Sequence, residues 1–167
     1  MADTVLIHPN RDKPESKATR AAVILLLLTS GALLAIVTAG GWSRLAGGQV
    51  VAIAIVIIYV VMAFYIGRWS RGVLPVAAAL AVLMMVLAAV AGPGWFDRDK
   101  AGFQNPALEP SILGLLTILL LPVGLLLIAF AMRGFQQKWN VEVEVAREDA
   151  ENRRPRDFET GEPRPAG

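Results

Sequence analysis

"QVVAIAIVIIYVVMAFYIG" (residues 49–67) decides the fold. It contains no Asp, Glu, Lys, Arg or His. About 20 apolar residues, rising ~1.5 Å each as an α-helix, cross the ~30 Å hydrocarbon layer of a bilayer. A helix on the surface of a soluble bundle would carry charge on a wet face. This stretch has no wet face, so it reads as lipid-embedded. Three further blocks of the same kind lie at 21–39, 73–91 and 112–132, and none of them holds a charged residue or histidine. The fold class that follows is an all-α membrane protein, a four-span antiparallel transmembrane helix bundle with short polar termini. Its parts are an N-terminal segment at 1–20, the transmembrane domain at 21–132, and a largely disordered tail at 133–167.

Charge at the span ends orients the bundle. Arg11, Lys13, Lys17, Arg20, Arg68, Arg71, Arg133, Lys138 and Arg147 fall on one side, against Arg44, Arg98 and Lys100 on the other. The richer side reads as cytoplasmic, which puts both termini on the cytoplasmic side of the cell membrane. Val37-Thr38-Ala39 resembles a cleavage site, but the apolar run before it exceeds the ~7–15 residues of a signal core. The first span is therefore read as retained. The links at 40–48 and 68–72 are short and predict that sequential spans are antiparallel neighbours. Trp-Ser-Arg occurs in both links (42–44 and 69–71). Interface chemistry accounts for it, since Trp favours the headgroup level with Arg just beyond.

Within the spans, small residues predict contacts. Lipid tails are as apolar as leucine, so helices join where small side chains let backbones approach. Ala77, Ala81, Ala88 and Gly92, with Met84 between them, mark a packing face on span three. Gly31, Ala35 and Ala39 form a similar strip on span one, suited to the bundle or to a partner. Pro122 in span four cannot bond the carbonyl of Ile118 and predicts a bend there. Thr29, Ser30, Thr38 and Thr117 are candidates for hydrogen bonds between helices.

The stretch "GPGWFDRDKAGFQNPALEPS" (92–111) is the long polar interruption. Asp97, Asp99 and Glu109 offer too few oxygens for a calcium site, and Asp97-Arg98-Asp99-Lys100 neutralises itself. It reads as a capped loop with interfacial aromatics. Trp95, Phe96, Asp97, Asp99 and Phe103 are its candidate partner-docking residues. His8 is the only histidine and has no carboxylate near it in sequence. Met84 and Met85 read as core gap fillers, not haem ligands. Tyr59, Phe64, Tyr65 and Trp69 read as packing and anchoring groups at one end of span two.

The remaining chemistry is limited by composition. There is no cysteine, so disulfides, thiolate metal sites and thiol catalysis are excluded. The spans lack the ionisable residues that pumps and ion-coupled carriers place in the membrane. No phosphate loop, nucleophile motif or zinc pair occurs. A net charge of +2 without a basic aromatic stripe gives no footprint for nucleic acid. No catalytic residue, cofactor or metal is expected. The expected partners are the lipid bilayer and either another membrane protein or a second copy. Arg over Lys, with abundant Ala, Gly and Val, is associated with GC-rich bacterial genomes. The expected function is a non-enzymatic accessory or scaffold subunit of a larger membrane assembly; the alternative is a small oligomeric transporter or channel.

Two short stretches outside the spans stay open. "TVLIH" (4–8) is rich in β-formers, and "VEVEV" (141–145) alternates as a half-buried strand does. They could pair as a ribbon, with Val141, Val143 and Val145 on one face and Lys13 and Lys17 offsetting Glu142 and Glu144. Equally, 133–145 could continue span four as helix, with Phe135 and Trp139 four apart on its buried side, or both stretches could be disordered.

Overall fold

The computed structural model describes residues 4–45, 47–97 and 106–146. In chain order the elements are strand β1 (Thr4–Ile7), a single helical turn α1 (Pro9–Asp12), α2 (Pro14–Gly40), a 3₁₀ turn (Trp42–Arg44), α3 (Gln49–Gly67), α4 (Val73–Phe96), α5 (Pro110–Gln136) and β2 (Val143–Ala146). The helices α2, α3, α4 and α5 are each long and apolar enough to cross a membrane. They pack against one another as an antiparallel all-α bundle. The end that carries β1 and β2 is called the near end below, and the opposite end the far end.

The charge-free blocks mark the apolar middles of these helices, not their limits. α2 starts at Pro14, with proline in its first turn where no helical N–H is needed. α5 likewise starts at Pro110 and runs on to Gln136. α4 continues through Pro93 to Phe96. Residues 92–96, read from sequence as the start of the polar loop, are thus the last turn of a helix. Pro93 has no N–H for the carbonyl of Ala89, a loss that a helix end tolerates more readily than its middle. Pro122 lies inside α5, which remains one continuous helix.

α4 and α5 form the most extensive pair, and α2 packs against both α3 and α5. The expected alanine face of α4 is buried: Ala77, Ala81, Met84, Ala88 and Gly92 all point into the bundle. Side chains of one helix fill the gaps left by small residues of the other. Ile118 sits over Gly92, Phe96 over Gly114 and Met85 over Gly124; a Cβ on any of these glycines would stand less than 3.0 Å from its neighbour. Met85 is the gap filler its chemistry suggested.

The short 68–72 link does not make α3 and α4 a close pair along their length. They touch little. The buried residues of α3 are Tyr59, Met62, Ala63 and Ile66, all towards the near end. There the four helices share one core, which includes Val23, Leu27, Ile66, Leu74, Ala77 and Leu127. At the far end the buried clusters are Leu33, Ala88 and Leu120, and then Val37, Trp95 and Leu113, drawn from α2, α4 and α5 alone. α3 leans away. A tight link fixes one end of a helix pair only. The far half of α3 is dense in Val and Ile and offers only Ala52 and Ala54 as small residues, so it gives little close backbone approach. The small face of α4 is already taken by α5.

Within the spans, the hydroxyls of Ser30, Thr38 and Thr117 do not bridge the helices. Each donates to the carbonyl four residues earlier in its own helix (Leu26, Leu34 and Leu113) at 2.7–2.8 Å. That local bond satisfies the hydroxyl without a partner helix. In the span-one strip, Gly31 is buried against Tyr59, whereas Ala35 and Ala39 are exposed along a groove beside α3.

Candidate functional site

The near end carries the most elaborate polar construction among the described residues. α5 stops at Gln136, and Lys138 adopts a left-handed backbone (φ 49°). That conformation costs a side-chain-bearing residue roughly 1–2 kcal/mol. It turns the chain back over the bundle and drops Trp139 into the core, where it is 0% exposed. The helical continuation through Trp139 is therefore not what forms, and Phe135 stays at the surface. Gly134 makes the room: a Cβ there would lie 3.0 Å from the indole of Trp139 and 3.2 Å from Leu74.

Trp139 is held on several sides. Its ring meets Trp69 edge-on, with centroids 5.4 Å apart and planes at 89°. Its Nε1–H donates to Oε1 of Gln137 at 3.0 Å, and Gln137 Nε2 donates to Thr19 Oγ1 at 3.0 Å. Arg11 donates from Nε to the carbonyl of Trp139 (3.1 Å) and from Nη2 to Oδ1 of Asn140 (3.2 Å). Asn10 Nδ2 donates to the carbonyl of Lys138 at 3.1 Å. The segment before α2 thus clasps the segment after α5.

The clasp continues as a ribbon. β1 and β2 pair antiparallel in the register Thr4↔Ala146, Val5↔Val145, Leu6↔Glu144 and Ile7↔Val143. Directly opposed residues share a face, so Val5, Ile7, Val143 and Val145 form one apolar side. Val141 is not on it; it precedes β2, and its N–H donates to the carbonyl of Lys138 in the turn. The partner of Glu142 is His8, with Nε2 3.3 Å from Oε1, and not Lys13 or Lys17. The sequence put no carboxylate beside His8; the ribbon does. Because the pair is well exposed, it contributes little to stability. Residues 147–167 lie outside the described residues, and the expected disorder of the tail falls there; 133–146 end α5, turn and form β2.

Two arginines tie the helix ends to this construction. Arg20 donates to the carbonyl of Gly67 (3.1 Å) and stacks over the Trp69 ring, 4.1 Å from its centroid. Arg71 donates to the carbonyl of Phe135 (2.7 Å) and stacks over that ring, also at 4.1 Å. Guanidinium planes suit such stacking better than an ammonium would. Trp69 itself has φ 64°, so the two Trp-Ser-Arg copies differ in backbone: the first is a 3₁₀ turn with an exposed Trp42. They are not a structural repeat. Phe64 and Tyr65 meet edge-on at the surface, while Tyr59 belongs to the core.

The docking residues proposed for the 92–111 stretch separate. Trp95 is 3% exposed and packs with Val37 and Leu113 as part of the far-end core. Phe96 is 40% exposed, and one side of its ring covers Gly114. Asp97 is exposed at the end of α4. Asp99 and Phe103 lie outside the described residues. The segment after them is anchored: Leu108 donates its N–H to the carbonyl of Gly40 (3.3 Å) and packs where a Cβ on Gly40 would stand. Among the described residues, no three His, Asp or Glu side chains gather as a metal-binding group. No protein-family model, curated protein or solved structure matches this chain.

The near-end clasp was only partly legible beforehand. The β-formers of 4–8 and the alternation of 141–145 suggested a ribbon. The burial of Trp139 was expected only on a helical continuation of span four, and the roles of Asn10, Arg11 and Gln137 were missed. The available signal was a tryptophan in an otherwise polar tail, five residues after a glycine.

Proposed function

We propose that the protein is a non-enzymatic accessory or scaffold subunit of a larger assembly in the cell membrane, with both termini on the cytoplasmic side. The Lys and Arg excess at the near end supports that orientation. One observation carries the functional reading: the clasp fixes a short ribbon outside the bundle, and its β1 edge is unguarded. Among the described residues the sheet has two strands, so each keeps an edge without a strand partner. Chains normally protect such edges with charge or proline. β2 carries Glu144, whereas Thr4-Val5-Leu6-Ile7 contains neither charge nor proline, and Leu6 is 56% exposed. A partner strand added to β1 would extend the sheet through main-chain hydrogen bonds.

The test is extraction of tagged protein from its native host in mild detergents. A stoichiometric partner should co-purify with the wild type and be lost from Leu6→Lys, whose bundle melts as the wild type does. A monomer running alone across several mild detergents would reject the reading.

A small oligomeric transporter or channel is the second reading, favoured by the cleft between α3 and α4 at the far end. Solute flux through the purified protein in liposomes supports it; a tight bilayer counts against it.

A further inference from the structure

Because α3 leans away from α4, the far half of the bundle holds a cleft of about 640 Å³. Ala52 and Ile55 of α3 face Met84, Ala88 and Ala91 of α4 across it, and Arg44 stands at its far-end mouth. We infer that this cleft binds one acyl chain of an anionic phospholipid, with the lipid phosphate at Arg44. The volume falls in the ~300–1,000 Å³ range of pockets that enclose small ligands.

Three features select this occupant. The cleft wall is mostly apolar, built from Leu, Val, Ile, Ala and Met side chains with Trp95, which suits a hydrocarbon chain. Its one hydroxyl, on Thr117, is already donated to the Leu113 carbonyl at 2.7 Å. Arg44 is the one charged residue lining it among the described residues, and it lies in the link between α2 and α3, where the chain leaves the apolar region. Guanidinium binds phosphate oxygens in a fork, and an anionic phospholipid, unlike a zwitterionic one, brings no headgroup cation to oppose Arg44. A partner transmembrane helix, about 10–12 Å across, would lie over the opening and leave the interior of the cleft unfilled. An acyl chain is slender enough to enter from the lipid side through the gap that α3 and α4 leave open. The site lies opposite the clasp and does not depend on the subunit reading.

Native mass spectrometry of the full chain, released from mixed micelles with equal phosphatidylglycerol and phosphatidylcholine of identical acyl chains, tests the inference. One phosphatidylglycerol per chain should persist at collision energies that strip phosphatidylcholine. Arg44→Gln should lower that preference at least fivefold, and Arg44→Lys, which keeps the charge but loses the fork, should lower it less than Arg44→Gln does. Ala91→Phe, which fills the cleft from an exposed position on α4, should remove the retained lipid. Arg68→Gln, at the near end, should leave the adduct unchanged. Equal retention of the two lipids, or a phosphatidylglycerol adduct indifferent to both Arg44→Gln and Ala91→Phe, would show only annular lipid and overturn the site.

Discussion

Trp139→Ala should unfasten the clasp while leaving the four helices assembled. The indole is fully buried against Trp69, Gly134 and Leu74. A buried Trp removes ~150–250 Å² from water. At ~25 cal/mol per Å², that corresponds to roughly 4–6 kcal/mol, and its hydrogen bond to Gln137 adds about 1 kcal/mol. Two effects reduce the sum. A released tryptophan settles at the membrane interface instead of in water, and freeing Lys138 from φ 49° relieves roughly 1–2 kcal/mol. The net loss is about 3 kcal/mol, at the lower end of measured Trp→Ala changes in cores. Hydrogen exchange in detergent reads this directly. The β1–β2 amides should exchange roughly 100-fold faster, at ~1.4 kcal/mol per decade, with α4 and α5 as protected as before. Unchanged protection of 143–146 would refute the claim that Trp139 holds the ribbon. Simultaneous loss of protection in α5 would show that the residue supports the whole bundle.

Other substitutions probe separate joints. Ala81→Leu forces a larger side chain into the face where α4 meets α5 and should destabilise the bundle by about 1–3 kcal/mol in thermal or denaturant melts. Gly114→Ala places a Cβ 2.7–3.1 Å from the Phe96 ring; a loss of about 1–2 kcal/mol should accompany it, and Phe96→Leu should relieve it. Lys138→Gly should be neutral or slightly stabilising in the same melts. Lys138→Val, with a branched side chain at positive φ, should cost about 1–2 kcal/mol. Reporter fusions at Gly72 should report cytoplasm, and those at Gly47 the opposite side.

The four spans were legible because hydrocarbon imposes a requirement that sequence cannot hide: about 20 residues without charge. The alanine face of α4 was legible for a related reason, since small residues are what let helices approach in lipid. The helix ends were not. Pro14 and Gln136 lie in polar segments where nothing in the apolar pattern marks a boundary, and Pro93 imitates a stop within the last turn of α4. The lean of α3 is a tertiary outcome. It depends on α4 giving its small face to α5, which no single segment records. The clasp depends on contacts between residues more than 100 positions apart, such as Arg11 with Trp139. Alternation in 141–145 pointed to a strand, but its lock is a turn at Lys138 that residue type does not announce.

The docking edge is the central functional claim, and site-specific photocrosslinking in native membranes tests it most directly. A photoreactive residue at Leu6, with Leu115 on the exposed face of α5 as the control, would be irradiated in intact cells. The account predicts one discrete protein adduct at Leu6, lost when Thr4→Lys places a charge on the β1 edge, and only lipid adducts at Leu115. Lipid adducts or none at Leu6, in cells where the β1–β2 amides remain protected, would contradict it.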